Sequence, residues 1–424
     1  MADTNAPRPP LMSLDDALAR LLSHAAPLPG AEAVSTFEAD GRVLAQDLVA
    51  GLTVPPRDNS AMDGYAVRAA DCAAPGAELP VAQRIPAGTV GQPLAAGTAA
   101  RIFTGAEVPP GADAVVMQED TEALPAEGAG GLGRVRIRQV PAAGQNVRRA
   151  GEDVRQGTVV LARGERLTPQ ALGLAASIGF ARLPVAPRPR VALLSTGDEL
   201  VMPGDVPPEH MRPGAIYNSN RFFMRALLRR LGCEVQDVGL VPDRLDATLA
   251  ALSAAAARND VVITTGGVSV GEEDHVRAAV QTLGTLELWS VAMKPGKPFA
   301  YGSIPRPSAD GRCHVCGLPG NPVSSFMTFM LLVRPFLLAL QGATALAPQP
   351  IGLRADFDLP RADKRREFLR VRRNAQGGLD VFPNQSSGVL TSTVWGDGVI
   401  DHPAGQTIAR GDTVRFIPFA SWLA

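Results

Sequence analysis

One segment, between residues 260 and 274, constrains this chain more than any other, because a short apolar run leads directly into a glycine-rich polar loop. Residues 261–265 are β-branched or apolar, which predicts a buried parallel strand. Gly266 and Gly267 end the strand, and paired glycines allow backbone conformations that strain other residues. The loop then supplies Ser269, Gly271 and Asp274. Backbone N–H groups at the mouth of a helix bind anions, so the sequence predicts a site for a phosphorylated ligand.

The bulk composition indicates a globular, multidomain protein. A length of 424 residues predicts two to four domains at roughly 100–200 residues each. The 41 basic and 42 acidic residues nearly balance, so no overall charge attracts nucleic acid or a membrane surface. The N-terminus lacks the apolar core of a signal peptide, and the run 326–340 is interrupted by Arg334 and Pro335. We therefore expect a soluble, cytoplasmic protein with no nucleic-acid and no membrane partner.

The four cysteines do not form a recognisable framework. A disulfide network is not expected in a chain of this length without an export signal. Cys313-His-Val-Cys316 has the spacing of half a zinc site, but the chain has no second such pair. The favoured interpretation is that Cys316 lies in a buried strand, and we assign no structural zinc.

Strand and helix patterns alternate from a proline-rich boundary at 183–189 to about Leu340. This α/β alternation predicts a mostly parallel sheet with helices on both faces. One helix begins near Arg221 behind the capping residues Asn218, Ser219 and Asn220. The predicted strands are 191–195, 235–240, 261–265, 286–291, 299–304 and 314–318. Apolar runs between Gly and Pro at 54–140 predict a β-rich domain, and the last 75 or so residues predict a small barrel or sandwich.

Functional residue types follow the ends of five predicted strands. Ligands of open parallel sheets bind beyond the carboxyl ends of the strands, which all lie at one edge. In chain order, the residues after these strands include Glu199; Asp243; Gly266, Gly267, Ser269 and Asp274; Lys294 and Lys297; and Pro319, Gly320, Asn321 and Ser324. Acidic groups would repel a bound phosphate unless a divalent cation lay between them, which points to Mg²⁺.

The loop at 319–325 adds a helix N-terminus to this edge. Pro322 suits the first helical turn, Asn321 can cap it, and Ser324 can add a hydrogen-bond donor for an oxyanion. Lys294 and Lys297 can flank the same anion. Each feature alone has an ordinary structural explanation as a solvated turn, a cap or a tight turn. Their convergence on one edge of one sheet favours the functional interpretation.

A second polar segment lies outside this sheet. Asp58 and Asp63 are five residues apart in a turn with Asn, Ser and Gly. A surface loop and a pair of carboxylates delivered to another domain or subunit explain this turn equally well. Thr104-Gly105 is open to the same two interpretations.

Taken together, these motifs resemble the MoeA-type molybdopterin molybdenumtransferases, a family that includes the E domains of gephyrin and of the plant Cnx proteins. The resemblance extends in order from about Met12 to the C-terminus. The motifs that carry it are Asp58-Asn-Ser-Ala-Met-Asp-Gly-Tyr65, Arg101-Ile-Phe-Thr-Gly105, Ser195-Thr-Gly-Asp-Glu-Leu200, Thr265-Gly-Gly-Val-Ser-Val-Gly271, Met293-Lys-Pro-Gly-Lys-Pro298 and Gly317-Leu-Pro-Gly-Asn-Pro-Val323.

The resemblance implies a reaction and an assembly. Molybdate would be inserted into the dithiolene of adenylylated molybdopterin, releasing AMP and molybdenum cofactor with the help of a divalent cation. The subunit would have four domains: domain I at 12–57 and 142–184, a β-rich domain II at 58–141, a MogA-like α/β domain III at 185–341, and a β-barrel domain IV at 350–424. Implied partners are a second copy in a homodimer, a MogA-like adenylyltransferase and molybdoenzyme apo-proteins.

The resemblance also carries over site residues by motif. The implied catalytic set, of which Glu199, Asp243 and Asp274 would bind metal, is Asp58, Thr104, Glu199, Asp243, Asp274, Lys294 and Lys297. The implied set that binds the pterin phosphates and nucleotide is Gly266, Gly267, Ser269, Gly271, Pro319, Gly320, Asn321 and Ser324, with weaker matches at Arg366 and Ser387. The chain departs from many relatives at Arg244 and Ser290, which affects only the details of metal or molybdate binding.

Three alternatives follow from the same motifs. A stand-alone adenylyltransferase would need only the α/β unit, so the segment from Asp58 to Tyr65 and the C-terminal domain argue against it. A scaffold like gephyrin would need an added partner groove or module, which the sequence does not display. A protein that holds adenylylated pterin without turnover is the third alternative.

Overall fold

The structure is a computed structural model that describes residues 11–126, 131–267, 275–306 and 311–423. The chain folds as two compact units. Unit 1 comprises Met1–Gln46, Arg163–Thr168 and Leu183–Ala424, and unit 2 comprises Asp47–Ala162 and Pro169–Arg182. The four domain boundaries expected from the sequence stay a prediction.

The described strands run through both units. In chain order they are β1 (Glu32–Ser35), β2 (Leu48–Val49), β3 (Asn59–Ser60), β4 (Gly64–Val67), β5 (Ala77–Ile85), β6 (Ala99–Ile102), β7 (Ala114–Met117), β8 (Thr121–Leu124), β9 (Arg134–Ile137), β10 (Val147–Arg148), β11 (Val159–Leu161), β12 (Arg182–Val185), β13 (Arg190–Thr196), β14 (Leu200–Val201), β15 (Ile216–Tyr217), β16 (Glu234–Val241), β17 (Val261–Thr265), β18 (Thr285–Ser290), β19 (Met293–Lys294), β20 (Pro298–Pro305), β21 (Arg312–Leu318), β22 (Ile351–Arg354), β23 (Arg366–Arg373), β24 (Leu379–Val381), β25 (Gly398–His402) and β26 (Thr413–Pro418).

The described α-helices are α1 (Leu14–Leu22), α2 (Pro169–Ser177), α3 (Asn220–Arg230), α4 (Leu245–Ala256), α5 (His275–Leu283), α6 (Pro322–Thr328), α7 (Arg334–Leu340), α8 (Thr391–Trp395) and α9 (Phe419–Leu423). A serine, Ser13, directly before the helical apolar spacing of Leu14, Leu18, Leu21 and Leu22 predicts a helix cap. In the structure, Ser13 caps α1 by accepting a hydrogen bond from the Asp16 N–H at 3.0 Å. A π-helical segment, Phe329–Val333, joins α6 to α7. The resulting Pro322–Leu340 helix is long and apolar enough to cross a membrane, but 83% of its most apolar window is buried, as in a core helix.

The largest sheet of unit 1 has the order β16-β13-β17-β21-β20-β18. Strands β16, β13, β17 and β21 pair in parallel, whereas β20 is antiparallel to both of its neighbours. The sheet is therefore mixed, because the connections before and after β20, residues 295–297 and 306–311, are too short for the crossover that parallel neighbours require. β18 again points in the direction of β21, so five strands end at one edge.

Helices cover both faces of this sheet. Helices α3, α6 and α7 share one core with Val191 and Leu193, and α4 and α5 share the other with Ala192 and Leu194. These successive residues of β13 point to opposite faces, which explains the continuous apolar run in the sequence. The sheet edge is therefore the part of this domain that remains free to hold polar groups.

The C-terminal part of unit 1 forms a second sheet with the order β19-β23-β25-β26-β22, and β24 pairs with β23. Its core includes Phe357, Leu369, Val371 and Phe416. The edge strand β19 belongs to the loop after β18, which the sequence did not predict to enter this sheet. The expected closure into a barrel stays a prediction.

Unit 2 contains a six-stranded sheet with the order β7-β4-β6-β5-β9-β8. Alternating residues of β4 face two cores, with Tyr65 and Val67 on one side and Ala66 on the other. Gly64 begins this strand so close to β7 that an added Cβ would lie 1.9 Å from the carbonyl oxygen of Val116.

All four cysteines are buried and free. Burial raises the pKa of Cys233 and of Cys313 to about 12. It also raises the pKa of Cys72 and of Cys316. Cys316 lies in the buried strand β21, as the sequence predicted.

Asp260 directly precedes β17, at the end of the unit 1 sheet opposite to the carboxyl ends of its parallel strands. Its contacts predict a stability that depends on pH. Burial raises the pKa of its carboxyl, but hydrogen bonds from Arg190 and Arg306 outweigh burial and hold the pKa below its usual value. The stabilisation is complete above the unfolded pKa of about 3.9 and is lost as pH falls through the folded pKa. We expect Asp260→Asn to lower the free energy of unfolding at pH 7 by about 2 kcal/mol. Urea titrations should show the difference from wild type shrinking below about pH 4; a pH-independent difference would contradict this account.

Gly64 gives a second stability prediction. We expect Gly64→Ala to destabilise the protein by more than about 2 kcal/mol, because the new methyl group collides with backbone of the neighbouring strand. The matched control is Gly173→Ala in α2, where nothing lies within 4 Å of an added Cβ. That change should stabilise the helix by about 0.5–1 kcal/mol. Calorimetric melting temperatures of the two variants should move in opposite directions, and a shared direction would refute the steric explanation.

Candidate functional site

The loops after β13 and β16 contact each other at the carboxyl edge of the unit 1 sheet. Gly197 has a φ of 137°, and the Glu199 carboxylate folds back to within 2.6 Å of where a Cβ on this glycine would lie. The Asp243 N–H donates a hydrogen bond to Asp198 Oδ1 at 3.3 Å. The predicted residues Glu199 and Asp243 therefore lie on two touching loops.

The glycine pair passes between the ends of β13 and β21. Gly266 and Gly267 have φ values of 96° and 68°. The Gly266 N–H donates to the Leu318 carbonyl at 3.1 Å, and an added Cβ would lie 2.8 Å from the Thr196 carbonyl oxygen. An added Cβ on Gly267 would lie 2.5 Å from Val276 Cγ2. Neither position has room for a side chain. The predicted residues Ser269, Gly271 and Asp274 lie outside the described residues.

A backbone N–H in the first turn of α6 is bonded to a carbonyl group that is distant in sequence. Asn321 occupies the N-cap position with extended backbone, but its side chain makes no capping hydrogen bond, which corrects the sequence prediction. The Val323 N–H instead donates to the carbonyl oxygen of Ser387 at 2.9 Å. Pro319 is buried, Gly320 is exposed and Ser324 is only 5% exposed. This turn therefore has fewer free donors than the sequence indicated, and Ser387 lies beside it.

Asn220 joins this group, although the sequence analysis assigned it only to a helix cap. Its Nδ2 donates to the carbonyl oxygen of Gly320 at 2.7 Å. Asn220 is 8% exposed, and its Oδ1 has no hydrogen-bond partner among the described residues. The N-terminus of α3 is capped by Asn218, which accepts from the Arg221 N–H at 3.2 Å. No sequence pattern indicated the contact between Asn220 and Gly320, because it joins two distant parts of the chain.

The two predicted lysines have different environments. Lys294 Nζ lies 2.7 Å from Glu367 Oε1 and 3.2 Å from Asp363 Oδ2. Burial lowers the pKa of Lys294, but the hydrogen bonds and charges of these two carboxylates outweigh burial and raise it. Lys297 is exposed and forms no ion pair within the described ranges. Lys294 lies in β19, which pairs with the second sheet, and the flanking of one anion by both lysines stays a prediction.

The loop between these lysines lies against α6. An added Cβ on Gly296 would lie 2.5 Å from Thr328 Oγ1 and 3.4 Å from the Ser324 carbonyl oxygen. The exposed residue Lys297 is thus carried on a loop that packs against α6.

Arg366 and Arg370 lie in the same strand, β23, but bind different partners. Arg366 donates to both carboxylate oxygens of Asp401, at 2.5 and 2.7 Å, and to Asp15 Oδ1 at 2.9 Å. Arg370 is 1% exposed and donates to the Ser386 carbonyl oxygen at 3.3 Å. Burial lowers the pKa of Arg370 to about 10. Arg370, which the sequence analysis missed, therefore supports the segment that contains Ser387.

In unit 2, Asp58 is fixed by the segment that follows β10. Its Oδ1 accepts from the Ala150 N–H at 2.9 Å, and its Oδ2 accepts from Arg149 Nη1 at 2.6 Å. The Ala150 hydrogen bond lowers the pKa of Asp58 more than burial raises it, and Arg149 lowers it further. Asp58 is therefore an oriented carboxylate that remains ionised at neutral pH.

Thr104 lies on a neighbouring loop of unit 2. Its backbone N–H and its hydroxyl both donate to Asp63 Oδ1 at 2.8 Å. The Gly105 N–H donates to the Ser60 carbonyl oxygen at 2.8 Å. The two polar motifs that the sequence left open thus come together, with Asp58 and Thr104 on adjoining loops.

The described residues could bind a divalent cation only together with oxygen ligands from a bound phosphate. Among them, no group of three or more His, Cys, Asp or Glu side chains is arranged to hold a metal. Glu199 and Asp243 nevertheless supply carboxylate oxygens on touching loops. Mg²⁺ commonly binds through one or two carboxylates together with ligand phosphates, so this pair is compatible with it.

Together, the fold and these loops define a multidomain α/β protein whose strand ends collect groups suited to anions and cations. Comparison with known families makes the assignment specific. The model described as "MoeA N-terminal region (domain I and II)" matches residues 12–179, "Probable molybdopterin binding domain" matches 192–339, and "MoeA C-terminal region (domain IV)" matches 353–419. The chain belongs to the MoeA family, as its motifs indicated.

Individual relatives cover nearly the whole chain. A protein of Haemophilus influenzae named molybdopterin molybdenumtransferase is 39% identical over 96% of this chain and 99% of its own length. A protein of the same name from Synechococcus elongatus is 38% identical over 95% and 98%. The crystal structure of the molybdopterin biosynthesis MoeA protein of Pyrococcus horikoshii has a TM-score of 0.81 and 30% identity, covering 96% of this chain and 99% of that one.

The two lysines give a prediction about stability, because only Lys294 forms an ion pair with carboxylates within the described ranges. Lys294→Gln leaves Glu367, whose side chain is 6% exposed, without its cation, so we expect a loss of roughly 1–2 kcal/mol after solvent screening. Lys297→Gln should change stability by less than about 0.5 kcal/mol. Denaturant titrations of both variants measure the contrast. Equal stabilities would contradict the ion-pair assignment of Lys294.

Proposed function

We propose that this protein is a molybdopterin molybdenumtransferase, which inserts molybdate into adenylylated molybdopterin and releases AMP and molybdenum cofactor. The observation that carries the proposal is the convergence of acidic, glycine-rich and helix-terminal loops at one sheet edge. The names of relatives that cover nearly the whole chain support the same activity.

The strand-end loops suit the chemistry of a phosphoanhydride. Gly266 and Gly267 allow the chain to turn tightly at this edge, because their positive φ values and the protein atoms around them leave no place for a side chain. Lys297 offers an unpaired cation to phosphate or molybdate oxygens, within the described part of the chain. Positioning and charge stabilisation are the principal contributions of proteins to phosphoryl chemistry, so no nucleophilic side chain is required.

A divalent cation, Mg²⁺ in our proposal, would be held by Glu199, Asp243 and Asp274. When bound, it would supply neutralisation of the pyrophosphate charge. The protein's own contribution is to keep the carboxylates of Glu199 and Asp243 on touching loops. The hydrogen bond from the Asp243 N–H to Asp198 Oδ1 joins these loops.

The wider biological setting is also part of the proposal. The protein would act in the cytoplasm as a homodimer, receive its pterin from a MogA-like adenylyltransferase, and pass its product to molybdoenzyme apo-proteins. Asp58 and Thr104 would contribute to the reaction from unit 2, where Ala150 and Asp63 hold them in place.

The acidic residues give the central test. We expect Asp243→Asn and Glu199→Gln each to slow AMP release from adenylylated molybdopterin by roughly a hundredfold, through loss of charge stabilisation. Asp205→Asn, at an exposed carboxylate of the same unit, should retain the wild-type rate. Single-turnover assays with molybdate, plus or minus a chelator of divalent cations, measure these rates.

Two outcomes would oppose the proposal. Unchanged AMP release in Asp243→Asn and in Asp274→Ala would remove the role of the acidic loops. Consumption of ATP with formation of adenylylated pterin, without molybdate-dependent AMP release, would identify the adenylyltransferase alternative instead.

A further inference from the structure

Two arginines lie side by side on the unit 2 sheet. Arg84 in β5 and Arg101 in β6 are paired in register on neighbouring parallel strands. Tyr65 in β4 is the next residue in the same row, opposite Arg101. Directly opposed like charges destabilise a sheet, so this arrangement needs compensation.

Aromatic rings provide part of that compensation. The guanidinium carbons of Arg84 and Arg101 each lie 4.7 Å from the centroid of the Phe103 ring. Arg101 also lies 5.3 Å from the centroid of the Tyr65 ring. Cation–π contacts favour such cations by about 0.5–1 kcal/mol at exposed sites, but they leave both positive charges in place.

Neither arginine forms an ion pair with a carboxylate among the described residues. Arg101 donates to two neutral acceptors, the Gly64 carbonyl oxygen at 2.9 Å and Gln118 Oε1 at 2.7 Å. Arg84 forms no hydrogen bond or ion pair with the residues that the structure describes, and its side chain is exposed. The Asp63 carboxylate accepts two hydrogen bonds from Thr104, which lower its pKa, and the charge of Arg101 lowers that pKa further from beyond ion-pair distance.

Other arginines of the same sheet are paired differently. Arg136 lies 2.7 Å from Glu78 and 2.8 Å from Glu122, and Arg134 lies 3.7 Å from Glu78. Within the described residues, the sheet thus pairs Arg134 and Arg136 with carboxylates and leaves Arg84 and Arg101 without an ion pair. Two neighbouring guanidinium groups without an ion pair are available to an anionic ligand.

We propose that Arg84 and Arg101, held by Phe103, form a binding site for a tetrahedral oxyanion. Guanidinium groups present planar, paired donors that match the oxygens of phosphate and related dianions, and stacking on an aromatic ring fixes their orientation. The oxyanion is either a phosphate group or molybdate, which share charge and shape. Arg84 and Arg101 belong to unit 2, and their binding of an anion can be measured without turnover, so failure of this proposal is distinguishable from failure of the function proposed above.

The test is direct binding of inorganic phosphate and of molybdate to the full-length protein, by equilibrium dialysis at low ionic strength. We expect Arg84→Gln to weaken binding of the anion at the proposed site by about tenfold or more, because the variant loses a charge-assisted hydrogen bond. Arg134→Gln, on the same sheet but already paired with Glu78, is the matched control and should bind like wild type.

Hydrogen exchange locates the site independently of affinity. Each anion that binds should slow exchange in peptides covering 99–105 of wild type and of Arg134→Gln, and not of Arg84→Gln. The anion that gives the larger protection, phosphate or molybdate, is the one that the site prefers. Equal binding and equal protection in wild type and Arg84→Gln, for both anions, would overturn the proposal.

Discussion

The candidate site depends on one constraint, the alignment of the C-terminal residues of four parallel strands in unit 1, which the pairing of β16 with β13 reaches after a one-residue bulge at Val238. Thr196 pairs with Val241, Ser195 pairs with Thr265, and Thr265 pairs with Leu318, so four strands end at the same level. Each following loop therefore begins at the same edge of the sheet. A register shift of one residue would reverse the faces of a strand and separate its loop from the others. Buried apolar residues on both faces of β13 hold that register.

The sequence could predict what depends on local pattern. The strands of the main sheet, the Ser13 cap and the strand-end positions of Glu199 and Asp243 follow from apolar runs, capping chemistry and the rule for open sheets. The sequence predicted a mostly parallel sheet without assigning a direction to β20, whose antiparallel pairing is set by the short connections on either side of it.

What the sequence could not predict are contacts between distant segments. Nothing near Lys294 indicates that its partners are Asp363 and Glu367, and nothing near Asn321 indicates that Ser387 closes the helix. Arg366 and Arg370 look equivalent in an alternating strand, yet one is bound by Asp401 and the other is buried beneath Ser386. These distinctions arise only when the second sheet packs, because both arginines have the same local propensities.

The burial of every thiol has a practical consequence. A cysteine with a strongly raised pKa and no access to solvent stays protonated and reacts slowly with maleimides and other alkylating reagents. A single cysteine introduced on the surface, for instance in place of the fully exposed Phe37, would then be the preferred target in an otherwise native chain. Fluorescent or spin-label reporters can accordingly be attached one at a time, without first removing any natural residue.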